Sequence, residues 1–301
     1  MLDCARTAAA QSDDSAGHRP AFRPIVALVS VGHRHPRDRR GCVSTTEEGR
    51  LPAVVFVHGI GGSARIWSPQ REAFAAAGLH PVAVDLPGYG ARAPVAAMDF
   101  DGLASDLEAT VARLGLDRPV LIGHSIGGMV AQAALRRRPA GYRSVVLCCT
   151  SPAFGNQAGE FQKAFVAARL GPLDAGAAMA SLAASMVDGL MGPSPDPAGR
   201  AFAIEVMSAV PVPTYRAALQ CLVAFDERAN LPAIRVPVLC LAGEHDRTAP
   251  APVMERMAAK IPGARFVCLA GVGHLANLEA PAAFDAAVLG FLRDVLSPQT
   301  S

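Results

Sequence analysis

The sequence predicts an α/β protein: a mostly parallel sheet flanked by helices, with a helical lid inserted in the second half. Three observations predict it. Short apolar runs rich in β-branched residues, such as Ala53 to Val57 and Val238 to Ala242, alternate with helical patterns, as in parallel sheets buried on both faces. That rhythm stops between about Ser151 and Asn230, where helical segments rich in Ala, Met and Leu take over, and it resumes after Val236-Pro237. The 301 residues, 51% hydrophobic and only 18% charged, are enough to bury a full core. The expected organisation is an N-terminal tail and irregular edge segment over 1–50, partly disordered, a core built from 51–150 and 231–301, and a helical cap over 151–230.

Taken in order, residues 1–20 lack periodicity and read as a tail. Ile25 to Val31 reads as one strand, and the basic cluster from His33 to Arg40 reads as a solvated loop without assigned function. From Ala53 to Val57 a strand leads into His58-Gly59-Ile60-Gly61-Gly62-Ser63. A helix to about Ala77 then carries the only tryptophan, Trp67. The strand Pro81 to Val84 ends in Asp85-Leu86-Pro87-Gly88-Tyr89-Gly90, whose composition forces a loop. A helix over 101–115, a strand over 119–122, a helix over 126–138 and a strand from Ser144 to Cys149 follow. The helical stretch is expected to break at Gly171-Pro172, at Gly192-Pro193-Ser194-Pro195 and at Pro211-Val212-Pro213. The strand Val238 to Ala242, a helix near 251–260, the strand Phe266 to Ala270 and a helix from about 280 to 295 complete the chain.

Between the strand at 119–122 and the next helix lies Gly123-His124-Ser125-Ile126-Gly127-Gly128, a sharp strand-to-helix turn with a serine at its apex. The glycines have a steric reason, because so tight a turn brings backbone close on both sides and leaves no room for a β-carbon. In a chain with 28 glycines the pattern carries little weight by itself.

Composition narrows the partners. A net charge of +2 is too small to argue for nucleic acid or an anionic membrane, and neither is an expected partner; no apolar run approaches the roughly 20 residues that span a bilayer. Seven cysteines without CxxC spacing read as reduced thiols, and Asp3, Asp13 and Asp14 interrupt any signal-peptide pattern, so a cytoplasmic location is expected. The histidines are scattered, without metal-ligand spacing; neither a metal nor an organic cofactor is expected. A small-molecule substrate is the expected partner, and the oligomeric state has no signal in the sequence.

Ligands of open parallel sheets bind beyond the carboxyl ends of the strands. Those ends carry His58, Asp85, Ser125, Asp246 after Gly243-Glu244-His245, and His274 after Gly271-Val272-Gly273. In this order and spacing the chain, from about 51 to 295, resembles the α/β-hydrolase family; its departure is residues 32–50, too basic and irregular for the usual opening hairpin. The resemblance implies an α/β-hydrolase fold with Ser125 as nucleophile, His274 as base and Asp246 as the acid that orients it, with Glu244 and Asp226 as alternatives for the acid. The backbone amides of Ile60 and Ile126 would form the oxyanion hole. His58 and His124 are expected to brace loops. Arg65, Trp67 and Met186 are the candidates for substrate binding, with Arg216 an alternative cation and Phe161, Phe165, Met179, Met191 and Met207 further candidate pocket residues.

The C-terminal blocks, among them Leu231-Pro232-Ala233-Ile234-Arg235-Val236-Pro237 and Gly273-His274-Leu275-Ala276-Asn277-Leu278-Glu279-Ala280-Pro281, are similar to 3-oxoadipate enol-lactonases. That similarity implies cleavage of a small ester or lactone of aromatic catabolism through an acyl-enzyme. The alternatives are a carbon–carbon bond hydrolase of meta-cleavage products, disfavoured because Leu275 stands where such enzymes commonly carry tryptophan, a generic carboxylesterase, and a non-catalytic ligand-binding protein of this fold.

Overall fold

The computed structural model describes residues 51–155 and 159–297. The expectations for residues 1–50, including the strand at 25–31 and the basic segment at 33–40, lie outside the described residues.

Six strands, β1 (Ala53–Val57), β2 (His80–Val84), β3 (Val120–His124), β4 (Val145–Cys148), β5 (Val238–Gly243) and β6 (Arg265–Leu269), form one parallel sheet in the order β2-β1-β3-β4-β5-β6. β3, β4 and β5 are buried at every position, whereas the edge strands β2 and β6 are partly exposed. This is why the central runs read as continuous apolar stretches and β6 begins with an arginine.

Helices α1 (Ser68–Ala76), α2 (Phe100–Arg113) and α3 (Ile126–Arg137) connect the first four strands. α3 is buried from Ile126 to Leu135 and places Arg136 and Arg137 in its last turn, where cations suit the negative end of the helix dipole. Between β4 and β5 come four helices, α4 (Glu160–Asp174), α5 (Met179–Asp188), α6 (Pro197–Ser208) and α7 (Val212–Leu222). The two ends of this stretch meet, since Phe154 N donates to Phe225 O (3.0 Å) and Glu227 N to Pro152 O (2.8 Å). The helical stretch therefore leaves and re-enters the sheet region through one paired neck.

The break expected at Gly171-Pro172 is not there, and α4 runs on to Asp174. Proline removes one donor near the helix end, but the stop is made by Gly176 at φ +90°. Ala177 N donates to Pro172 O and Gly176 N to Leu173 O, the pairing by which a left-handed residue satisfies the last carbonyls of a helix. After β5 come α8 (Ala251–Ala258), then, beyond β6, the short α9 (Ala276–Glu279) and α10 (Pro281–Leu296). α10 packs against α1, and α2 against α3.

Candidate active site

The chain moves from β1 outward to β2, then returns to the other side of β1 with β3. Ligands of parallel sheets bind at such a reversal, and here the loops after β1 and β3 face one another across it. Ser125 follows β3 directly and has φ +54° and ψ −119°, a region that costs an L-residue on the order of 1–3 kcal/mol. The surroundings hold it there. A β-carbon on Gly123 would lie 2.4 Å from Gly127 O, and one on Gly127 would lie 2.4 Å from Val57 O, so neither position admits a larger residue. Ser125 N donates to Cys148 O (3.0 Å), and Thr150 Oγ1 donates to Ser125 O (2.7 Å).

Ile126 is the first residue of α3, so its amide has no acceptor within the helix. The partner loop is shaped by Gly62 N donating to Gly59 O (3.0 Å) and by Tyr89 Oη donating to Ile60 O (3.0 Å). A β-carbon on Gly59 would come 3.3 Å from that of Ser125, which puts the Ile60 loop against the serine.

His274 and Asp246 are both buried, and their side chains meet at 2.7 Å between Nδ1 and Oδ2. The other carboxylate oxygen accepts from Thr248 N (2.7 Å) and Ala249 N (2.9 Å). Burial pushes the Asp246 pKa up, but the His274 charge, its hydrogen bond and the two loop amides outweigh burial, and the net shift is downward. An ionised Asp246 keeps the imidazole proton on Nδ1 and leaves Nε2 as a base. The alternative acids are elsewhere: Glu244 is exposed and accepts from Gly271 N (2.8 Å), and Asp226 pairs with Arg228. Ser125 and His274 line one cavity. Among the described residues the Ser125 hydroxyl has no hydrogen-bond partner; in empty active sites such bonds are often long and tighten around substrate.

His58 and His124 are buried and act as braces. His58 Nδ1 donates to Gly59 O (2.8 Å) while Nε2 accepts from Leu86 N (3.1 Å), and His124 Nε2 donates to His274 O (2.8 Å). Burial lowers the pKa of His58 to about 4 and that of His124 to about 3, so both rings are neutral near pH 7. Glu279 is a further residue of the site that was not among the expected ones. Its buried carboxylate accepts from Gly273 N and Leu275 N, on either side of His274, and from Gly192 N, at 2.7–2.8 Å. His274 N itself donates to Leu190 O (2.7 Å). The signal was an acid five residues beyond the histidine and two before the proline that starts α10.

The cavity is narrow: its empty space of about 630 Å³ includes solvent at the mouth, and the room inside for solvent-sized molecules is about 70 Å³. Val187 and Leu190 by α5, Met207 from α6, and Leu219 and Leu222 from α7 give it apolar walls, closed by Leu275. The candidate substrate contacts need correction. Arg65 is exposed and paired with Glu205 (2.7 Å), outside the cavity lining. Trp67 is wholly buried between Phe56 and Phe284, at ring distances of 5.0 and 6.0 Å, because the 3₁₀ turn Ala64–Trp67 rotates it into the core. Met186 packs half-buried against the core, and its neighbour Val187 takes the cavity position. Arg216 is paired with Asp174. Of the further pocket candidates, Phe165 and Met207 reach the cavity, whereas Phe161 is 68% exposed. Among the described residues no group of three or more His, Cys, Asp or Glu is arranged to hold a metal ion.

A family model described as the alpha/beta hydrolase family matches residues 54–287. The chain belongs to the α/β-hydrolase family. A candidate carbamate hydrolase, RutD of Variovorax paradoxus, is 30% identical over 260 residues, 82% of this chain and 93% of that protein. Among solved structures, a thermophilic esterase from Thermogutta terrifontis is 27% identical with a TM-score of 0.73, covering 82% of this chain and 91% of the esterase. The enol-lactonase from Burkholderia xenovorans LB400 is 26% identical with a TM-score of 0.71, covering 82% and 94%. The chain spans only 12% and 18% of the length of two other curated relatives that it matches. No helix of this α/β hydrolase, among the described residues, is long and apolar enough to cross a membrane.

Proposed function

We propose that this α/β hydrolase cleaves a small ester or lactone through an acyl-enzyme on Ser125. The observation that carries this reading is the buried 2.7 Å pair of His274 and Asp246, in one cavity with a serine held at φ +54°. An alcohol is too weak an acid to attack unaided; His274 Nε2 takes its proton as the bond to the carbonyl carbon forms. Asp246 stabilises the imidazolium, and the amides of Ile60 and Ile126 receive the developing oxyanion. Collapse expels the alcohol with the proton returned from His274, and water repeats the sequence to release the acid.

The likeness to an esterase and an enol-lactonase supports an ester or lactone substrate. We place the reaction in aromatic catabolism as an enol-lactonase-type step, on the similarity of the C-terminal blocks. The helices α4–α7 act as a lid, since each of the four segments contributes to the cavity. The described cysteines are all unpaired, which supports a cytoplasmic site of action. The candidate carbamate hydrolase favours a second reading, cleavage of a carbamate by the same residues. Assay of purified protein and its Ser125→Ala variant against lactones, esters and carbamates separates the readings. Ser125-dependent hydrolysis of a lactone or ester is the expected result, and hydrolysis of carbamates alone supports the second reading.

A further inference from the structure

Among the described residues that line the cavity, the one Lys or Arg side chain is Arg169, on α4. Eight other arginines are ion-paired with carboxylates, among them the two that the sequence suggested as substrate cations, Arg65 with Glu205 and Arg216 with Asp174. Arg169 has no such partner among the described residues. It is half-buried, and its guanidinium lies over the Phe165 ring at 3.4 Å. Its one hydrogen bond is a long one, 3.4 Å from Nη1 to Phe165 O in the preceding turn.

A cation drawn partly out of water without a counter-charge is unfavourable, and burial accordingly lowers its pKa. Stacking on an aromatic face occupies the flat side of a guanidinium and leaves the N–H donors on its edge free. Those donors match the two oxygens of a carboxylate in a planar, bidentate pair. Tyr215 stands beside it, a buried side chain that also lines the cavity and whose hydroxyl makes no hydrogen bond among the described residues. Much of the remaining cavity lining is apolar, Leu219, Leu222 and Val187 among it.

We infer that Arg169, with Tyr215 beside it, recognises a carboxylate on the substrate, so that the substrate is an ester or lactone carrying a free acid group across an apolar spacer. The inference rests on the hydrolase reading and deepens it to a substrate class. Arg169 is a specificity residue that holds the end of the substrate not being cleaved.

Two measurements test it, one of which needs no turnover. Titration calorimetry follows binding of glutarate and adipate to the Ser125→Ala protein with and without Arg169→Gln. Kinetics compares monophenyl glutarate and monophenyl adipate with phenyl pentanoate and phenyl hexanoate, for the wild type, Arg169→Gln and Arg169→Lys. The expected results are dicarboxylate binding that Arg169→Gln weakens roughly 10-fold or more, and a wild-type kcat/KM ratio of acidic to neutral ester that falls by a similar factor, mainly through KM. Arg169→Lys keeps part of the ratio. The inference is overturned if neither dicarboxylate binds, or if the ratio is the same in the wild type and Arg169→Gln. Ester turnover without an Arg169-dependent ratio overturns it while the hydrolase reading stands. Arg169-dependent binding without any turnover upholds Arg169 as the carboxylate site while the hydrolase reading, and with it the ester or lactone substrate, fails.

Discussion

Glu279 grips His274 from both sides without touching its ring. One carboxylate oxygen takes the amide of Gly273 and that of Gly192 from the helical stretch, and the other takes the amide of Leu275. The imidazole is thereby fixed through its backbone, as Asp246 fixes it through Nδ1.

Replacing Glu279 by Gln keeps the shape but puts a donor where an acceptor is needed. At least one buried amide then loses its partner, at a cost of about 1–3 kcal/mol. The expected outcome is a lower melting temperature and a fall in kcat of roughly 10-fold or more with little change in KM, checked by thermal unfolding and steady-state kinetics. A variant that melts earlier with unchanged kcat would assign Glu279 to stability alone.

The two buried brace histidines give the protein a defined acid sensitivity. Their folded pKa values, about 4 for His58 and about 3 for His124, lie below the ordinary value of 6.5. Below pH 6.5 the unfolded chain therefore binds protons that the folded chain refuses, so stability falls with pH until the folded values are reached. Each ring contributes at most about 1.4 kcal/mol per pH unit. Urea midpoints between pH 7 and pH 4.5 should drop less steeply for His124→Asn than for the wild type, even though the variant is less stable at pH 7. Equal slopes would show that His124 is not buried neutral.

Glycines of this chain divide sharply by what surrounds them. A β-carbon at Gly123 meets the backbone of Gly127 at 2.4 Å, whereas at Gly290, inside α10, it comes within ordinary contact of the Arg293 side chain, 3.8 Å away. Gly123→Ala should cost several kcal/mol or prevent folding, while Gly290→Ala should stabilise by about 0.5–1 kcal/mol. Chemical denaturation of both variants checks the pair. A tolerated Gly123→Ala would mean that the turn at Ser125 is looser than its φ of +54° implies.

Much of this was legible in the sequence, for identifiable reasons. The strands of the core could be read because burial on both faces demands unbroken apolar runs, and the turn at Ser125 because its glycines are steric requirements. Parallel topology brings strand ends to one edge, which is why Asp246 and His274 were both expected there; the choice of Asp246 over Glu244 came from the family resemblance, and the structure puts its carboxylate 2.7 Å from His274 Nδ1. Substrate contacts could not be read. Whether Trp67 turns outward or inward depends on the 3₁₀ turn that precedes it, and which α5 residue meets the cavity depends on the rotation of a helix packed against several neighbours. Arg169 looks like any helix-surface arginine until its neighbours are placed, because the absence of a partner has no sequence pattern. Glu279 was hidden because an acid near a helix start normally reads as a solvated residue.

The proposed reaction requires Ser125 to be an activated nucleophile. Treating the folded protein with a fluorophosphonate probe, followed by intact mass and peptide mapping, tests it most directly. One adduct is expected, on Ser125, absent in Ser125→Ala and strongly slowed in Asp246→Asn. Folded wild-type protein that stays unlabelled, or that labels equally in Ser125→Ala, would contradict it.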